Sequence, residues 1–244
     1  MSSQSYRLNP KLDADALRTA FASTSRLHVP EFLEAADAER LYAFLRGSAA
    51  WRLVINQESK LFELDRAAQA AMTPEARQEL DRAIHASARH NFQYCYETIR
   101  VPDSEEERGA QADELSRFAS FMSSPEVAGF LRQVTGRNEI AFADAQATAY
   151  GLGHFLTAHD DEVAGKQRIA AYVFNLTPKW RIDWGGLLAF HDARGHVAEA
   201  YTPSFNALNL FSVPQPHSVT MVAPFAASRR YSVTGWLRSR QGQA

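Results

Sequence analysis

The stretch TAHDDEVAGKQRIAAYVFNL, Thr157–Leu176, places a histidine and two aspartates directly ahead of a run of β-formers. Its second half, Arg168–Leu176 (RIAAYVFNL), is rich in β-branched and aromatic residues over a length that suits a buried strand. A strand face needs neither an imidazole nor two carboxylates, so the cluster is either a solvated loop tip or one end of a metal site. If the chain is extended there, His159 and Asp161, two residues apart, project to one side and Asp160 to the other.

Around this stretch, from about Ala141 onward, short β-forming runs follow one another: FADAQATAY, RIAAYVFNL, GGLLAF, HVAEAY, ALNLFSV, HSVTMVA and RRYSVTGWLRS. Turn formers such as Gly151, Gly153, Gly165, Gly185–Gly186 and Pro214 separate them, the texture of an all-β sandwich or barrel. The first half differs. Asp13–Ser23, Glu34–Gly47, Thr73–Arg89 and Glu105–Ser124 carry apolar residues at three- and four-residue spacing and predict helices. Thr73 before Pro74 and Ser124 before Pro125 are helix-start signals. Trp51–Asn56 and the segment around Cys95 read as strands. No internal repeat or low-complexity linker interrupts the chain. The expectation is one domain over 1–244, with 1–140 as mainly helical support and 141–240 as the β core: a mostly β, α+β fold with helices packed on one side.

The totals exclude several classes. The 244 residues are 45% hydrophobic and 22% charged with a net charge of −2, a globular balance without the field that nucleic acid or an anionic membrane requires. A single cysteine, Cys95, rules out an intrachain disulfide. The first residues lack a basic start followed by an apolar stretch, and no apolar run reaches membrane-spanning length, so a cytoplasmic protein is expected.

A 2-His-1-carboxylate ferrous site needs two imidazoles and one carboxylate on one face of the metal. His217, which opens HSVTMVA after a proline turn, is the best candidate to join His159 and Asp161. In RRYSVTG, Arg230 and Ser232 share one strand face and offer a guanidinium fork and a hydroxyl to a carboxylate, while Arg229 projects the other way, into solvent. A facial triad followed by such a clamp describes a site for iron with a dicarboxylic co-substrate.

From about Tyr150 to Trp236 the chain resembles the double-stranded β-helix (jelly-roll) core of the Fe(II)/2-oxoglutarate-dependent dioxygenases, particularly their prolyl-hydroxylase branch. The resemblance rests on HDD, the W…GGLLAF segment, PSFNALNLFSV, HSV and RYSVTGW, in that order. It implies His159, Asp161 and His217 as iron ligands, Arg230 with Ser232 on the distal carboxylate of 2-oxoglutarate, and Tyr150 beside the co-substrate. The implied cofactors are Fe(II), 2-oxoglutarate and O2, with ascorbate as a possible reductant. The implied reaction decarboxylates 2-oxoglutarate to succinate and CO2 and hydroxylates an unactivated C–H bond. Asp161 is present where related halogenating enzymes lack the carboxylate, which favours hydroxylation. The run FNLTPKW departs from the branch, which often carries a Tyr two residues before a Leu-Asn pair; Asn175 is the candidate for that hydrogen-bonding position.

The leading expectation for the substrate is a prolyl residue in a protein or peptide. The alternatives are a free amino acid or other small molecule on the same site, or a non-catalytic metal-binding β-sandwich sensor; hydrolytic zinc chemistry would need no dicarboxylate clamp. Arg168, Asn175, Trp184 and Trp236 are candidate substrate-lining residues. Phe92, Tyr94 and Tyr96 fall on one strand face and are expected to be core, with a groove lining as the other reading. His191, next to a turn composition, is expected to be exposed.

Overall fold

A computed structural model describes residues 5–58 and 60–239. The predicted domain span also includes residues 1–4, 59 and 240–244, which lie outside the described residues. In chain order the elements are α1 (Ala14–Thr24), β1 (Arg26–Val29), α2 (Ala35–Gly47), β2 (Arg52–Gln57), β3 (Lys60–Asp65), α3 (Arg66–Ala71), α4 (Pro74–Ala88) and β4 (Tyr94–Arg100). Then come α5 (Glu105–Gln111), α6 (Glu114–Met122), α7 (Pro125–Thr135), β5 (Phe142–Ala143), β6 (Gln146–Tyr150), β7 (Phe155–His159) and β8 (Arg168–Asn175). The chain closes with β9 (Leu188–His191), β10 (Val197–Tyr201), β11 (Ala207–Ser212), β12 (His217–Val219) and β13 (Arg230–Arg238).

Capping residues start the helices where the sequence places them. The side chains of Asp13, Thr73 and Ser124 each accept a backbone N–H of the first turn. The region predicted as one helix, Glu105–Ser124, is two. Ala112 closes α5 in the left-handed conformation (φ 48°), and Asp113 then caps α6 through Ser116 N. The apolar spacing of α6 runs on from that of α5, so periodicity alone does not show the break. The strands β1 and β3 and the short helix α3 were not expected from the sequence.

The strands form one antiparallel system in the order β1-β11-β8-β13-β6-β4-β7-β12-β9-β10, with β2 joined to β4, β3 to β2 and β5 to β13. The two ends of this path approach each other, since Arg26 of β1 pairs with Glu199 of β10 and His28 packs on Tyr201 with ring centroids 5.5 Å apart. The result is a nearly closed jelly-roll barrel, as the predicted fold class requires.

Alternation along the strands sorts side chains onto two faces. Ala147 and Ala149 of β6, Ala170, Tyr172 and Phe174 of β8, and Tyr231 and Val233 of β13 face the helices. They share one core with Phe21, Leu41, Leu45, Phe118 and Leu131. Helix α4 covers Leu53, Ile55 and Cys95, and because Cys95 lies on the same side of β4 as Glu97, the cross-strand partner of Ala149, the helices cover one side of the sheet. The opposite faces of β4, β6, β8 and β13 turn inward and line a cavity.

Candidate metal centre and anion pocket

His159 and His217 are direct cross-strand partners on β7 and β12, which brings their ring centroids to 4.1 Å. Each gives its Nδ1 proton to the carbonyl two residues upstream, His159 to Thr157 O at 2.9 Å and His217 to Gln215 O at 2.7 Å. A carbonyl can only accept, so this bond fixes the tautomer and leaves the Nε2 lone pair free on both rings. Those two Nε2 atoms lie 3.5 Å from Asp161 Oδ1 and Oδ2 respectively. The three side chains offer ligand atoms within 4.8 Å of one another.

Asp161 reaches this place differently from the sequence expectation. The chain is not extended there: Asp161 has φ 67°, just beyond the end of β7. The left-handed turn, rather than strand alternation, swings its carboxylate back between the imidazoles. Asp160 is exposed, its carboxylate accepting Glu162 N.

Burial and the neighbouring His159 push the His217 imidazole down to about 4, against the opposing charge of Asp161, so this ring is neutral and competent to ligate near pH 7. For Asp161, burial pushes the carboxyl up, but His159 and His217 more than offset it and the group lies below its ordinary range. Two imidazoles whose Nδ1 is tied to a carbonyl, and a carboxylate held below its ordinary range, form a donor set suited to Fe(II).

The same cavity, of about 400 Å³, extends past Tyr150 to Arg230. Arg230 is 1% exposed, and its Nε and Nη1 have no hydrogen-bond partner among the described residues. Its guanidinium carbon lies 5.2 Å from the ring centroid of Tyr150, its cross-strand partner. Burial lowers its basicity and only Tyr150 opposes this, yet a guanidinium does not lose its proton at neutral pH. A buried cation without a counter-charge is costly. The orphaned N–H groups therefore mark the place where an anionic group fits, and a carboxylate matches the fork.

Ser232 is fully buried, but it lies behind the wall: its hydroxyl bonds to that of Thr148 at 2.8 Å, and Thr148 lines the cavity. The sequence reading missed Thr148, although the alternation in QATAY puts it on the face of Tyr150. Arg229 is exposed, as expected, with its side chain 42% accessible, and its tip also reaches Glu97 at 2.6 Å, a buried carboxylate that Arg66 also holds, at 3.2 and 3.3 Å. Arg168 and Trp236 line the cavity. Asn175 does not: it is buried against Val173 O and Ala207 O. Trp184 packs edge-on against Trp180, away from the cavity wall. His191 is half-buried and bonds Ser218 at 3.0 Å. Phe92, Tyr94 and Tyr96, expected as core, form one wall of the cavity and continue into Tyr150, with successive centroids 5.8, 5.5 and 5.1 Å apart. They are aromatic on the inward face of β4, where core and cavity lining have the same period.

Known proteins share part of this sequence and its fold. Residues 145–238 match the family described as the 2OG-Fe(II) oxygenase superfamily. A segment of 114 residues is 31% identical to prolyl 3-hydroxylase OGFOD1 of Mus musculus, covering 44% of this chain and 20% of that protein, so the match spans about one-fifth of the relative's length. In three dimensions the chain is similar to a prolyl-4-hydroxylase of Pseudomonas putida, with a TM-score of 0.62 and 19% identity over 93% of this chain and 100% of that one. It is similar also to a prolyl hydroxylase from Trichoplax adhaerens in complex with a peptide fragment of the hypoxia inducible factor oxygen degradation domain, with a TM-score of 0.61 and 16% identity over 93% and 89% of the two chains. Residues 145–238, which carry the His–Asp–His geometry and the barrel strands around it, are thus similar to the 2OG-Fe(II) oxygenase superfamily, and prolyl hydroxylases stand among the proteins this chain resembles in sequence and in fold.

Proposed function

We propose that the chain is an Fe(II)- and 2-oxoglutarate-dependent hydroxylase that acts on a prolyl residue in a protein or peptide. The observation that carries the co-substrate assignment is the buried Arg230, whose Nε and Nη1 find no partner among the described residues, in the same cavity as His159, Asp161 and His217. A hydrolytic or purely structural metal site gives no reason to maintain an uncompensated guanidinium in the interior. The intact core shared by helices and sheet supports reading residues 1–140 as part of the same domain.

His159, Asp161 and His217 would hold the iron, which when bound supplies activation of O2 coupled to oxidative decarboxylation of the co-substrate. Arg230 orients the distal carboxylate of 2-oxoglutarate through Nε and Nη1, and charge-assisted bonds of this kind contribute roughly 1.5–3 kcal/mol each. Thr148, itself fixed by Ser232, adds a hydroxyl to the same wall. Tyr150 and the apolar residues Val219 and Leu188 keep bulk water from the region between anion pocket and metal ligands. The aromatic row from Tyr96 out to the exposed Phe92 leads from the interior to the surface. Flat rings spaced in this way suit a pyrrolidine ring on an extended peptide, whose rigidity limits the entropy lost on binding. The prolyl hydroxylases among the relatives support the same substrate class.

Anaerobic addition of Fe(II) and 2-oxoglutarate to the metal-free protein tests the co-substrate reading. A weak visible charge-transfer band is expected with wild type, and Arg230→Met should require at least 10-fold more 2-oxoglutarate to develop it. No band at saturating concentrations of both removes the assignment. Peptides with and without proline, assayed for succinate release, then separate the prolyl substrate from a free amino acid.

A further inference from the structure

The three ligand residues are not held alike. His159 and His217 sit on strands and are locked twice, by β-pairing and by their Nδ1 bonds. Asp161 sits in the loop between β7 and β8, in the left-handed region that a non-glycine residue occupies at a cost. The loop contains two further left-handed residues, Gly165 (φ 79°) and Gln167 (φ 49°), and most of its residues are exposed. Something must hold the Asp161 backbone if its carboxylate is to meet both imidazoles.

Arg168, the first residue of β8, is placed to do so. Its Nη1 donates to Asp161 O at 2.9 Å. Its guanidinium carbon lies 3.5 Å from the ring centroid of Trp236 on β13, so the cation is stacked on a rigid indole. Trp236 Nε1 is buried and has no hydrogen-bond partner among the described residues, so the indole serves here through its ring face. Among the described residues Arg168 forms no ion pair within 4.0 Å; its Nη1 hydrogen bond goes to a neutral carbonyl in the strained turn. A residue serving general stability has no reason to select that carbonyl.

The geometry points to Arg168 as a positioning residue: anchored on Trp236, it holds the left-handed turn at Asp161 so that the carboxylate completes the metal site. This rests on the reading of His159, Asp161 and His217 as metal ligands. The backbone clamp acts before any substrate or 2-oxoglutarate is bound, so its loss registers in the affinity for the metal alone.

The test uses Mn(II) as the probe, with free aqueous Mn(II) counted by electron paramagnetic resonance, on the full chain without 2-oxoglutarate. Arg168→Met keeps an apolar stem over Trp236 and removes every donor; Arg168→Lys restores a donor. Arg168→Met should raise the Mn(II) dissociation constant on the order of 10–100-fold, the range seen when a supporting partner of a ligand is removed. Its metal-free thermal midpoint should stay within about 3 °C of wild type, and Arg168→Lys should recover part of the affinity. The inference is overturned if Arg168→Met binds Mn(II) within 2-fold of wild type. It is overturned equally if affinity falls only in step with folding, with Arg168→Lys no better than Arg168→Met. Asp161→Ala marks the floor. If wild type binds Mn(II) no better than Asp161→Ala, the ligand reading itself fails, an outcome distinct from normal wild-type binding with Arg168 variants unaffected.

Discussion

A histidine that gives its Nδ1 proton to a backbone carbonyl presents its Nε2 lone pair outward, and this chain does so twice, two residues beyond the acceptor each time. Replacing His159, Asp161 or His217 by Ala removes a donor from an open three-ligand set. Each variant is expected to lose Mn(II) binding and 2-oxoglutarate-dependent succinate release together, and a variant that keeps both at the wild-type level leaves the ligand list. Arg230→Ala belongs to the other end of the cavity. It should leave metal affinity in place and raise the Michaelis constant for 2-oxoglutarate at least 10-fold, about 1.4 kcal/mol, with an unchanged constant assigning the carboxylate elsewhere. A further residue concerns pH. His154 Nδ1 accepts Gly151 N at 3.1 Å, and burial together with the Arg229 charge, against Glu97 and Asp81, lowers its pKa from 6.5 to about 4. The folded value lies below the unfolded one, so the neutral ring's contribution is complete above about pH 6.5 and is lost as pH falls toward 4. His154→Gln should flatten the acid-side decline of unfolding free energy in that window, and an unaltered slope in denaturant titrations would count against it.

At the scale of the element, β13 carries the densest set of constraints. It pairs with β6 through residues 230–234, with β5 through 237–238, and with β8 along its length. The change of partner from β6 to β5 falls at Gly235, where an added Cβ would sit 1.9 Å from Asp144 O and 2.8 Å from the Tyr172 ring. Backbone cannot yield as a side chain does, so Gly235→Ala should cost about 2–3 kcal/mol. A midpoint in urea within error of wild type would show that the strand can shift. The sequence makes β13 legible as a strand and gives the sides of Arg230 and Ser232, because alternation is local. It does not show that Thr148 of the neighbouring strand stands between Ser232 and the cavity, nor that Glu97 waits for Arg229, since both depend on register across strands distant in sequence. The α5–α6 break at Ala112 hides for the converse reason: a single left-handed residue re-aims the chain without disturbing the apolar spacing.

In the whole molecule, helices and barrel cannot be separated without opening one core. Phe32 and Phe118 meet Phe174 with centroids 5.7 and 5.2 Å apart, and Trp51 and Tyr42 meet Tyr231 at 5.8 and 6.0 Å. The face of β8 and β13 that these rings cover backs directly onto the cavity wall. Residues 141–240 produced alone would expose that face, and a large apolar surface left in water favours association over folding. That fragment is expected to be insoluble or to lack a cooperative unfolding transition; a soluble fragment with a sharp transition and Mn(II) affinity would contradict it.

The sequence by itself determined the chemical inventory and its sides: an HxD pair at the end of a strand, a later histidine, an arginine alternating inward, helices ahead of strands. These follow from local period and residue type, which fold with the segment that carries them. Only the tertiary structure decided that His159 lies opposite His217, that Asp161 arrives by a left-handed turn under Arg168, that Arg230 has no counter-charge among the described residues, and that Phe92, Tyr94 and Tyr96 line a cavity rather than fill a core. Each of these depends on what stands across from a residue, and pairing register and burial are fixed by contacts between segments far apart in the chain.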